Sequence, residues 1–189
     1  MLGVAIACGL IYGVVVGSFS GQSQWWAAPI KISLGLMISA LICLPSLYIF
    51  GCLSGSEARP WEMAGLLAGL LMLMTLLLVG FAPVAWLFSQ STESVAWMGA
   101  LHLLFWLVAT AFALRFLHAG YARFHARSSA GLYVWIVIFL LVMLQMTTAL
   151  RPIVGTADTF LPKDKKFFLD YWFNTMDQKA EAKTQGTTK

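Results

Sequence analysis

Charge is what this sequence has least of. Of its 189 residues, 12 are Lys or Arg and 8 are Asp or Glu, while 60% are hydrophobic. So small a polar share leaves too little to cover the surface of a soluble domain. Most of the charges are also gathered in three places: a short loop after residue 54, the segment from Arg115 to Arg127, and the tail after Leu150. Between them run apolar blocks of roughly the 20 residues needed to cross the hydrocarbon core of a bilayer. An apolar run in lipid has to satisfy its own backbone hydrogen bonds, which a helix does locally. The expected fold is an all-α, multi-pass integral membrane protein with about five transmembrane helices and a C-terminal amphipathic interfacial helix.

Cysteine and chemically active motifs are scarce as well. Cys8, Cys43 and Cys52 are odd in number and form no C-x-x-C pair; Cys8 and Cys43 fall inside apolar segments and read as small core residues. The sequence holds no His-Glu-x-x-His and no phosphate-cradling Gly-rich loop. No expected span carries a central Asp, Glu, Lys or Arg of the kind that marks ion pathways, which argues against a transporter. His102 alone among three histidines lies well inside a span, and His118, sixteen residues on, is about 24 Å away along a helix. The two cannot grip one haem iron from both faces, so His102 reads as a residue hydrogen-bonded to a neighbouring helix, with an axial ligand role as the rival. No metal, no cofactor and no catalytic residue is expected. The net charge of +4 follows membrane-flanking Lys and Arg, which act on orientation and anionic lipid, and no nucleic-acid partner is implied.

What is abundant is small residues at a fixed interval. Ala5, Gly9, Gly13, Gly17 and Gly21 recur every fourth residue and form one bare ridge about 24 Å long on a helix. Gly35, Ser39 and Cys43 repeat the spacing, as do Ala64 with Ala68 and Gly65 with Gly69. Helices in lipid associate by close packing, so such ridges let backbones approach, within the chain or between chains.

Taken in order, the expected spans are about 2–20, 32–53, 61–88, 95–117 and 132–150. The first has no basic leader and no small-x-small cleavage site and reads as retained, as a crossing span or, alternatively, a re-entrant segment. Lys31 is placed to snorkel to the interface ahead of the second, and Pro45 to kink it. At 28 residues the third would be about 42 Å long, so it tilts or breaks near Gly80 and Pro83. Trp25, Trp26, Trp86 and Trp97 then fall on one side and Trp61 and Trp135 on the other, as two aromatic belts. The basic loop after the fourth span points weakly to a cytoplasmic position for that loop. In the C-terminal segment 157–178, Lys163, Lys166, Asp170, Asn174 and Asp177 share one arc of a helix. Phe168, Trp172 and Phe173 lie on its apolar face, suited to the membrane interface or to docking a partner. Residues 179–189 read as a disordered tail.

The marks Pro45-Ser46-Leu47-Tyr48, Ala82-Pro83 and Leu150-Arg151-Pro152-Ile153-Val154-Gly155 resemble those of a family of small uncharacterised bacterial multi-pass membrane proteins, over residues 10–156. That resemblance implies a bacterial inner membrane and no particular activity. The layout of hydrophobic segments and the Gly51 to Gly55 turn are more loosely similar to Yip1-type five-span proteins, which implies a scaffold role. The function expected is a non-enzymatic accessory, scaffold or assembly subunit of a membrane complex. Its partners would be the lipid bilayer and either other membrane subunits or further copies of itself. A small channel or transporter, and a haem- or pigment-binding subunit using His102, are the alternatives.

Overall fold

The structure, a computed structural model, describes residues 1–20, 24–91, 95–124 and 128–149. Among these residues the chain forms five helices and no strand: α1 (Leu2–Ser20), α2 (Gln24–Leu53), α3 (Pro60–Ser91), α4 (Val95–Ala122) and α5 (Ala130–Ala149). Three of them are long and apolar enough to cross a membrane, over Ala28–Leu53, Pro60–Phe88 and Trp97–Ala122. The C-terminal segment with Phe168, Trp172 and Phe173 lies outside the described residues, as do Gly21 and the disordered tail expected at 179–189.

The helices run alternately up and down. Gly9 faces Ser33 and Gly13 faces Pro29 across α1 and α2, while Gly69 faces Phe116 and Gly120 faces Leu66 across α3 and α4. Helix α1 packs against both α2 and α3, α4 lies on α3, and α5 lies on α2. The core between them is mostly Leu, Met and Ala, with Leu47, Leu70, Leu71, Met74 and Ala113 almost wholly enclosed, and it also takes in the aromatic rings of Trp135 and Phe139.

One end of the bundle is tied together by backbone groups. Helix α2 closes in a Schellman turn, in which Ser56 N–H donates to Gly51 O and Gly55 N–H to Cys52 O, both at 3.0 Å. The turn needs a left-handed residue, and Gly55 supplies it at φ 72°. Helix α3 then starts with Pro60 at its first position, where a missing N–H does no harm. Glu62 Oε2 reaches back to accept from Arg59 N–H at 2.7 Å, half of a capping box that also sets a negative charge against the helix dipole. Just past the end of α4, Phe124 O accepts from Glu57 N–H and from Ser56 Oγ, each at 3.4 Å. Ser128 Oγ accepts from Ala130 N–H to open α5.

Four expectations change. Helix α2 begins at Gln24, not near residue 32, so Lys31 stands two turns inside it, and its side chain is 1% exposed instead of snorkelling outward. Helix α3 runs unbroken through Pro83; Gly80 and Pro83 both lie on its exposed side, so the proline ring and the missing hydrogen bond fall away from the core. Trp61, Trp86 and Trp97 are exposed as belt residues should be, but Trp135 is 0% exposed. Its indole N–H donates to Cys43 O at 2.9 Å, which satisfies the one polar group of the ring and lets α5 bury it against α2.

Candidate functional site

The strongest polar feature inside the bundle is built from side chains that the helices bring to one depth. Tyr12 stands eight residues before the end of α1, His102 seven after the start of α4, and Lys31 and Ser33 seven and nine after the start of α2. These termini share one end of the bundle, so all four residues lie about 10–14 Å in from it. Three of the four are almost completely buried: Tyr12 at 5%, Lys31 at 1% and Ser33 at 7%.

Within this layer, Tyr12 and His102 meet directly. The phenol oxygen and His102 Nδ1 are 2.8 Å apart and the rings sit edge to face at 5.7 Å. If the hydroxyl donates, the imidazole proton is on Nε2; if Nδ1–H donates, Nε2 carries a free lone pair. In either form Nε2 is enclosed with no hydrogen-bond partner, and Ser33 Oγ is in the same position. The tie joins α1 to α4, helices that otherwise touch little.

Why Tyr12 faces α4 follows from its place in the ridge. Gly9 and Gly13 point at α2, and Tyr12 is one residue from Gly13, rotated about 100° around the helix. A glycine ridge brings α1 close to its neighbours, and the tyrosine beside it then reaches the next helix.

The ridge itself is consumed inside the chain. Ala5, Gly9, Gly13 and Gly17 are all buried. A Cβ on Gly9 would stand 2.9 Å from Ser33 Oγ, and one on Gly13 would run into the Pro29 backbone, with the Pro29 nitrogen at 2.9 Å. Gly69 packs under the Phe116 ring of α4, where an added Cβ would meet ring atoms at 2.8 Å. Gly65 differs: it is exposed, and open space lies where its Cβ would be. Cys8 and Cys43 are buried and Cys52 is exposed, and among the described residues no three His, Cys, Asp or Glu side chains come together as a metal site.

Tyr12 and Ser33 escape a reading by sequence pattern, because each is an uncharged polar residue in an apolar run, and Lys31 reads there only as an interfacial cation. The signal that was there is the shared count of residues from alternating helix ends, which puts them and His102 in one layer.

No family model matches the chain, and neither a curated protein nor a solved structure does.

Replacing Tyr12 with Phe should lower stability by about 1 kcal/mol, since it removes one interhelical hydrogen bond and leaves Nδ1 enclosed without a partner. A double-mutant cycle with His102→Leu, read by thermal unfolding in mild detergent, checks this: the two losses should fall short of additive, because both remove the same bond.

Proposed function

We propose that this chain is a five-span protein of a bacterial inner membrane that serves as a non-enzymatic accessory, scaffold or assembly subunit. The observation that carries this reading is what its interior polar groups do. Tyr12 with His102 links α1 to α4, Trp135 with Cys43 O links α5 to α2, and Ser56 with Phe124 O links the α2–α3 loop to the end of α4. Polar side chains in lipid commonly join helices in this way, and here they hold the bundle in one arrangement. Around it, Trp86, Leu87, Phe88 and Trp97 make an exposed apolar rim at one end of α3 and α4, suited to lipid or to a neighbouring subunit. Helices α1 and α5, at 19 and 20 residues, are shorter and about 28–30 Å long, near the lower end of what crosses the hydrocarbon core.

Two measurements test the reading. Alkaline carbonate should leave the chain in the membrane pellet, and native mass analysis after mild extraction should find it in an assembly of fixed stoichiometry. A monodisperse single copy under the gentlest extraction would sink the subunit reading. A second reading rests on His102 Nε2, enclosed and without a partner. With Tyr12 accepting from Nδ1–H, that nitrogen would carry the lone pair by which His102 could hold a haem or a related pigment. A Soret band that His102→Ala abolishes would favour it, and a featureless visible spectrum of the purified protein would end it.

A further inference from the structure

Helices α4 and α5 lean on different neighbours, and between them lies an open groove of about 460 Å³. Its lining is graded. Ala111, Leu114 and Ile136 form an apolar floor, and Arg115, His118 and Tyr133 form a polar mouth. His118 Nε2 and the Tyr133 hydroxyl are 3.5 Å apart, with their rings edge to face at 5.9 Å, and close the outer end of the groove. Arg115 is exposed, and no acidic residue lines the groove among the described residues. It sits seven residues before the last residue of α4, about 10 Å in from the helix end, where a cation needs an anion or water.

We propose that this groove binds an anionic phospholipid, with the headgroup phosphate held by Arg115 and His118 and an acyl chain lying along Ala111, Leu114 and Ile136. Charge complementarity selects the phosphate. A guanidinium offers paired donors to phosphate oxygens, and the imidazole and phenol add two more hydrogen-bonding groups at the same height. The apolar floor continuing inward from that charge selects a lipid over a free anion. Basic pockets between spans at a membrane face are suited to such headgroups. The proposal rests on the membrane-spanning reading and not on the subunit reading, and carbonate extraction tests the former separately.

The experiment is lipid titration of the full-length protein in neutral detergent, followed by native mass counting of bound lipid and by the thermal midpoint. Phosphatidylglycerol should bind and raise the midpoint, and phosphatidylcholine should do so far less. Arg115→Gln should weaken phosphatidylglycerol binding by about fivefold, the loss expected for one basic residue at a membrane surface. Arg123→Gln, exposed on the same helix end but outside the groove, should leave it unchanged. Equal binding of the two lipids, equal losses in the two variants, or the same stabilisation from inorganic phosphate alone would each overturn the proposal. Retention of binding by Arg115→Lys with loss in Arg115→Gln would support it, since the former keeps the charge at the same site.

Discussion

Gly13→Ala is expected to destabilise the protein, although alanine is the better helix former. Inside a helix the change should gain roughly 0.5–1 kcal/mol from propensity. At Gly13 the added Cβ meets the backbone of Pro29, and backbone cannot rotate aside as the end of a side chain can. Overpacking of this kind costs about 1–3 kcal/mol, so the clash outweighs the propensity gain; Gly13→Leu, with three more carbons to place, should prevent α1 from docking. Gly65→Ala is the internal comparison, because that position is exposed and has open space for a Cβ. It should be neutral or slightly stabilising. Thermal midpoints of the three variants in one detergent decide the matter, and a Gly13→Ala protein as stable as Gly65→Ala would show that α1 does not approach α2 as closely as described.

The second large effect is expected at Trp135. It is fully enclosed, stacks on Phe139 with ring centroids 5.1 Å apart, and donates its indole N–H to Cys43 O. Removing a large aromatic side chain from a packed core costs about 3–5 kcal/mol in soluble proteins. On the membrane-spanning reading, lipid is as apolar as the core, so the transfer contribution falls away and the cavity and the lost contacts remain. Trp135→Ala should therefore lose about 3 kcal/mol, at the lower end of that range. Trp135→Phe keeps most of the packing and removes the hydrogen bond, so it should lose about 1 kcal/mol. Loss of α5 protection in hydrogen exchange, with α3 and α4 unchanged, would be the accompanying signature; equal loss across all helices would contradict it.

Much of the architecture was legible in the sequence because a long charge-free apolar run satisfies its own backbone most simply as a helix. The helix positions followed from where charge is missing, and the ridge from its four-residue interval. What spacing does not carry is which side the neighbour stands on. Gly13 and Gly65 occupy equivalent patterns, yet a Cβ on one would meet Pro29 and a Cβ on the other would stand in open space. Trp135 near the end of an apolar run is compatible with an interfacial ring or an enclosed one, and the decision lies with a carbonyl 92 residues away in sequence. Lys31 was read at a helix boundary because a cation usually marks one; the helix had already begun at Gln24. His102 was legible as a bonded histidine, whereas its partner Tyr12 was hidden beside the glycines that drew attention to α1.

The pairing of helices also orders the assembly of the chain in time. Contacts between α1 and α2 join residues such as Gly13 and Pro29, and those between α3 and α4 join Phe81 with Phe105, so each hairpin can close soon after its second helix leaves the ribosome. Local contacts of this sort form early because little chain has to be looped to make them. Helix α5, the last made of the five, returns across two intervening helices to α2 and inserts Trp135 beneath Cys43. Until α5 packs there, the α2 face around Cys43 is uncovered, so this part of the core closes last.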